Sequence, residues 1–120
     1  MPTRVARKRP ARPRAKKVSD DIFDLIGKGE NIREASAAMQ AMGHPVRLKI
    51  LCLVGNQELS VLEIVEAVGT SQSNISQHLA ILRDQGLLQA RKEANKVFYR
   101  IGDPRVLKMI SLTREIFCSF

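Results

Sequence analysis

Two short helical patterns that meet at a single glycine constrain this chain more than any other feature. The first opens at Ser60, carries Ile64, Val65 and Val68 on one face, and closes at Gly69. Ser60 and Glu63 have the spacing of a capping box, in which each satisfies a backbone N–H of the other's end of the turn. The second is capped by Thr70 or Ser71 and stops at Gly86. Its inward face is Ile75, Leu79 and Leu82, spaced i, i+4, i+7 on one stripe. The pattern is helix, tight glycine-containing turn, helix.

The flanks complete the plan. After Gly86, LLQARKE and KVFYRI are two strand-like runs around Ala94-Asn95, which predicts a hairpin with charged residues near its tip. Before Ser60, VRLKILCLV (Val46–Val54) is apolar on most sides and predicts a central buried helix, with Pro45 at its first position. Ile32, Ala35, Met39 and Met42 recur at helical spacing ahead of Gly43, from a start near Glu30-Asn31. Ser19-Asp20-Asp21 is an earlier helix start before Ile22, Phe23, Leu25 and Ile26, interrupted by Gly27 and Gly29. Asp103-Pro104 opens a last helix. The expected fold is mainly α with a small β-hairpin wing, ordered α-α-α-α-β-β-α: a winged helix-turn-helix. The first and last helices can supply a homodimer interface.

The net charge of +8 is unevenly placed. Residues 1–17 hold eight basic residues and no acid, leaving twelve basic against twelve acidic in the rest. The chain therefore divides into a basic tail, 1–18, and a folded part, 19–120. A basic tail rich in Pro and Ala suits a disordered arm on phosphate backbones, or simply a solubilising end. The chain is long enough for one domain and too short for two. Only five aromatic residues argue against binding single strands by base stacking. No apolar run is long enough to cross a membrane, and the N-terminus lacks the apolar stretch of a secretory signal, so a cytoplasmic location is expected.

With Ile75 inward, Ser73, Ser76, Gln77 and Ala80 point outward, and Gln72 and Asn74 flank the first turn. Gln and Asn read adenine bidentately, Ser bonds bases or phosphates, and the Ala methyl touches thymine. An ordinary solvated face usually carries Glu and Lys, but no charge occurs from Thr70 to Leu82. Small uncharged residues also allow close entry into a major groove. His78 flanks the inward face, where it contacts DNA or packs. Arg91, Lys92 and Lys96 at the hairpin, and Arg83, can hold phosphates, although charged hairpin tips are commonly just solvated.

MGHPVRLKILCLV, then ELSVLEIVEAVGTSQSNISQHLAILRDQGLLQARKEANKVFYRI, resembles the ArsR family of bacterial repressors over roughly residues 32–120. SQSNISQHL with the following LRDQGLL is the most specific part. The resemblance implies a homodimer of winged-helix subunits bound to palindromic, double-stranded operator DNA, and released by a ligand. Many members hold metal through a Cys-x-Cys pair in the helix before the recognition helix; here those positions are Ser60 and Leu62, neither a soft ligand. Others use histidines with acids along the last helix, which here has Asp103 and Glu115 but no His. No metal and no cofactor is expected, with His44 read as a helix-start residue.

The two cysteines, Cys52 in KILCLV and Cys118 in REIFCSF, lie 66 residues apart. In a reducing compartment a pair is more often regulatory than structural. Cys52 alone reads as a small buried hydrophobe. On a wheel of the last helix, Val106, Ile110, Thr113, Ile116, Phe117 and Phe120 form the apolar face and Cys118 falls off it, beside Ser111 and Arg114. The placement resembles the sulfide- and persulfide-sensing members, the SqrR/BigR-like repressors. This implies sensor thiols at Cys52 and Cys118, an inducer such as glutathione persulfide, and control of sulfur-oxidation genes. Both cysteines sit near helix C-termini, where the macrodipole disfavours a thiolate, and Lys49 and Arg114 are placed to offset that effect; sequence leaves the balance open. The alternatives left open are a thiol repressor sensing peroxide or a soft metal such as arsenite, and a constitutive architectural DNA binder. No nucleophile–base pair, phosphate loop or paired carboxylates point to an enzyme.

Overall fold

The structure, a computed structural model, describes residues 29–117. The basic tail, the helix start at Ser19 and Cys118 lie outside the described residues. Among the described residues, the elements are α1 (Gly29–Met42), α2 (Pro45–Val54), β1 (Leu59–Ser60), α3 (Val61–Val68), α4 (Gln72–Asp84), β2 (Gln89–Glu93), β3 (Lys96–Arg100) and α5 (Pro104–Phe117). The chain divides into two units between Ala35 and Ser36, within α1. The core described below belongs to residues 36–120.

The helix ends follow from single residues. His44 caps α2: its Nδ1 accepts from the Val46 N–H at 3.1 Å, and Pro45 holds the first position, where no N–H is needed. The capping box of α3 is complete. Ser60 Oγ accepts from the Glu63 N–H at 3.1 Å, and Glu63 Oε1 accepts from the Ser60 N–H at 2.8 Å. Gly69 ends α3 at φ +85°, a left-handed conformation that costs glycine nothing. Two residues later Ser71 caps α4, accepting from the Asn74 N–H at 3.1 Å. At α5, Asp103 Oδ1 accepts from the Arg105 N–H at 2.8 Å and Oδ2 pairs with its guanidinium; these bonds hold the Asp103 carboxyl down at about 2.

The core gathers one stripe from each helix. Ile50, Leu51 and Val54 of α2 meet Ile64 of α3, Ile75, Leu79 and Leu82 of α4, and Ile110 of α5. Leu87, Leu88, Tyr99 and Ile101 close it from the wing side. Each fully buried aliphatic contributes roughly 1.5–3 kcal/mol of transfer free energy, so the turn between α3 and α4 is fixed by what both helices bury.

The wing has one strand more than the sequence pattern predicts. β1, β3 and β2 form an antiparallel sheet in that order, with Leu59 opposite Tyr99 and Gln89 opposite Arg100. Two residues carry no readable alternation, and Ser60 already serves as a cap, so β1 has no separate signal. The expected hairpin turn is at Ala94-Asn95, between Glu93 and its partner Lys96. Leu87 and Leu88, expected in the first strand, precede it and are buried.

In the outer helices only part of each apolar pattern packs against the core. In α1, Ala38, Ala41 and Met42 face the core, while Met39 is 63% exposed. Ile32 and Ala35, in the N-terminal unit, are exposed. In α5 Val106 and Ile110 pack inward, but Ile116 and Phe117 are exposed together with Met109 and Leu112. Apolar spacing alone does not say which of two stripes a helix buries within its own chain. Among the described residues, no helix is long and apolar enough to cross a membrane.

Candidate nucleic-acid interface

The recognition-helix candidate is α4. Its inner stripe is fully buried and its outer face bears Gln72, Ser73, Ser76 and Gln77, all exposed. Arg83 is exposed at the far end of the same helix. Ala80, expected outward, is half-buried, because it lies next to the Leu79 stripe.

Three of the expected DNA-facing residues already have partners within the chain. Asn74 donates from Nδ2 to Thr70 Oγ1 at 3.3 Å while its N–H is held by Ser71, so it serves the turn. His78 is half-buried; its Nδ1 accepts from Arg47 Nη1 at 3.3 Å, and its ring centroid lies 4.6 Å from that of His44. Burial, with His44 and Arg47 nearby, pushes the His78 imidazole below its usual range.

Arg91, the third, corrects the reading of the wing. It is not at the tip but in mid-strand, directly opposite Phe98. Its guanidinium carbon is 4.8 Å from the Phe98 ring centroid, a cation–π arrangement. It donates to both oxygens of Glu58, from Nε at 3.0 Å and from Nη2 at 2.8 Å, and to Glu93. These bonds raise the Arg91 pKa and lower that of Glu58. A guanidinium with both faces of its fork occupied is poorly placed to hold a phosphate as well. Lys92 and Lys96, nearer the tip, are exposed.

Two residues that hold candidate side chains in place are not singled out by sequence: Arg47, bonded to His78, and Glu58, bonded to Arg91. Arg47 has a signal, as a cation within an otherwise apolar helix. Glu58 has none, since its partner is 33 residues away.

Cys52 is half-buried near the end of α2, packed against the core on one side. On the other it lines a groove with Lys49, Gly55, Asn56, Gln57 and Arg114 of α5. Arg114 therefore reaches the Cys52 end of α2. Ser60 is committed to its capping box and Leu62 is 59% exposed, so neither stands in a polar cluster. Among the described residues, no group of three or more His, Cys, Asp or Glu could hold a metal ion.

Known proteins share this architecture. The sequence profile of the arsR family of bacterial regulatory proteins matches residues 44–90. The transcriptional activator HlyU of Vibrio cholerae is 43% identical over 89 residues, covering 74% of this chain and 82% of HlyU. The solved structure of reduced HlyU from that organism superposes with a TM-score of 0.72 at 41% identity, covering 78% of this chain and 99% of HlyU. The biofilm growth-associated repressor of Xylella fastidiosa is 30% identical over 86 residues, covering 72% of this chain and 75% of the repressor. The homodimeric winged helix-turn-helix domain Mb0332 of Mycobacterium bovis superposes at TM-score 0.66 with 27% identity, covering 85% of this chain and 88% of that domain. These relatives are transcriptional regulators, a non-enzymatic class. The chain belongs to the ArsR family of bacterial regulatory proteins and is a DNA-binding transcriptional regulator with a winged helix-turn-helix fold.

Proposed function

We propose that the protein is a homodimeric repressor that reads a palindromic operator with α4 and releases it when reactive sulfur species join Cys52 to Cys118. The carrying observation for DNA reading is the face of α4: four exposed, small or amide side chains outside a fully buried stripe. Gln72, Ser73, Ser76 and Gln77 meet base edges; Arg83, Lys92, Lys96 and the basic tail, residues 1–18, meet phosphates. Residues 19–120 form the DNA-binding and dimerisation domain. Dimerisation through the first and last helices is supported by the exposed apolar stripes of α1 and α5 and by the homodimeric state of Mb0332. Repression follows the repressor named among the relatives.

The sensor reading is supported by the position of Cys52. Its thiol lies at a groove shared with α5, the helix whose sequence runs on to Cys118. HlyU, a relative whose reduced form is distinguished, is consistent with thiol control. In the reaction each cysteine thiolate takes the outer sulfur of one glutathione persulfide, releasing glutathione. One cysteine hydropersulfide then attacks the other and expels hydrogen sulfide, which leaves a trisulfide. The transferred sulfur is the oxidant, and no other is needed. A disulfide requires Cα atoms within about 7 Å, whereas an inserted sulfur adds a bond of about 2 Å. The trisulfide ties α2 to the residue that follows α5 in sequence and alters the spacing of the two α4 helices on DNA. Operator half-sites lie about one DNA turn apart, so a small change in spacing spoils the fit of a whole half-site.

The test uses a duplex selected from a random pool. Gln77→Ala is expected to cost roughly 1–3 kcal/mol of binding and to relax base preference; an unchanged affinity and preference removes α4 from the reading role. Mass spectrometry after glutathione persulfide treatment should find a sulfur-bridged pair, with loss of binding, and neither in Cys52→Ser or Cys118→Ser. A loss of two hydrogens alone, produced equally by peroxide, would establish the disulfide reading in its place.

A further inference from the structure

The two histidines of this chain, 34 positions apart, meet at one point. There α4 is joined to the rest of the domain by a polar link rather than by its apolar stripe. Arg47 of α2 donates from Nε to the Ala41 carbonyl, near the end of α1, at 2.8 Å. From Nη1 it donates to His78 Nδ1 at 3.3 Å. A guanidinium has no acceptor, so His78 Nδ1 must be the nitrogen without a proton. His44, the cap of α2, lies against the same ring with an interplanar angle of 43°. The charged or titratable groups that act on His78 are His44 and Arg47, both presented by α2. One cation thus ties α1, α2 and α4 together, and its bond to α4 lies one residue from Gln77.

We propose that Arg47 is a positioning residue for DNA recognition, which sets the recognition helix through neutral His78. The proposal deepens the reading of α4 given above and rests on it. Its chemistry makes a distinctive demand. Imidazolium carries N–H on both nitrogens, so no flip of the ring restores an acceptor for Arg47. It would also face the Arg47 cation at hydrogen-bond distance. Protonation therefore breaks the link, and recognition weakens as pH falls through the titration of His78. A histidine that touched phosphate would do the reverse, since its added charge would strengthen binding.

The full-length protein is titrated from pH 7.5 to 4.5 at constant ionic strength, on a selected duplex and on a non-specific duplex. The ratio of the two affinities is expected to fall on the order of tenfold, the worth of one hydrogen bond to a charged group. Its midpoint should coincide with the His78 imidazole titration followed by NMR, and the Arg47 Nε–H resonance should move with it. In His78→Asn, whose amide oxygen accepts at every pH, the pH dependence should vanish, whatever the absolute affinity. A ratio that rises on acidification, or a wild-type pH profile retained in His78→Asn, overturns the proposal. If that variant does not fold, an Arg47 resonance that stays still while His78 titrates overturns it in the wild-type protein. Failure of the α4 reading itself is told apart by Gln77→Ala, which leaves the Arg47–His78 titration of the free protein intact.

Discussion

Arg91 reaches from β2 across the ring of Phe98 on β3 to grip Glu58, the residue just before β1, through two hydrogen bonds of 2.8 and 3.0 Å. One side chain therefore spans all three strands of the wing. It is a brace on the sheet, while the lysines nearer the turn remain exposed.

This division of labour predicts distinct salt dependences. Lys92→Gln and Lys96→Gln should each flatten the plot of log affinity against log salt by about 0.9, the signature of one phosphate left without its cation. Arg91→Gln should leave that slope unchanged. Fluorescence anisotropy across a salt series reads all three; a flatter slope for Arg91→Gln would place its guanidinium on DNA.

Deleting residues 1–17 should lower affinity for specific and non-specific duplexes alike, again by about 0.9 in slope for each phosphate the tail neutralises. The same anisotropy series is the check. Equal binding with and without the tail would make it a solubilising end.

The turn between α3 and α4 should be the point where single backbone atoms matter most. Gly69 sits at φ +85° with nothing within 4 Å of where a Cβ would stand, so Gly69→Ala should cost about 1–2 kcal/mol from backbone strain alone. Gly69→Asn should cost less, since Asn tolerates that conformation. Ser60→Ala removes half of the capping box and should cost about 1 kcal/mol. Urea denaturation at a common m-value measures each.

Leu112 is 55% exposed on α5, beside Met109 and Ile116. Leu112→Glu should shift the protein from dimer to monomer in analytical ultracentrifugation and leave the helical content by circular dichroism unchanged. A dimer that survives this charge would move the interface away from α5.

Acid should loosen the start of α5. The Asp103 carboxyl is held at about 2, below its usual 3.8, by the Arg105 guanidinium and backbone N–H. A depressed folded value means that its contribution is present above 3.8 and lost as pH falls toward 2. Asp103→Asn should remove that part of the acid dependence, read from thermal midpoints between pH 5 and 2.

Local rules wrote most of this fold into the sequence. Ser60 with Glu63, Gly69, Ser71 and the Ile75–Leu79–Leu82 stripe act over three or four residues, so they can be read without knowing what lies opposite. What is not legible depends on distance along the chain. Arg91 reads as a tip cation because Glu58 is 33 positions earlier. His78 reads as touching DNA or packing, and sequence does not choose between them because Arg47 lies 31 positions away. The stripes of α1 and α5 are visible as apolar, but whether Met39 or Ala38 turns inward is decided by packing against α2 and its neighbours. Side-chain pairing across elements is a tertiary fact, and the charged or polar residues it occupies are the ones sequence most readily offers to a ligand.

The architecture of α4 carries a consequence for how such regulators diverge. Ile75, Leu79 and Leu82 anchor the helix from a buried stripe, whereas Gln72, Ser73, Ser76 and Gln77 are exposed. The two sets lie on opposite faces of one helix, so a change of an outer side chain leaves the buried stripe its own packing. On the reading of α4 proposed above, operator preference can therefore change at the surface without repacking of the interior.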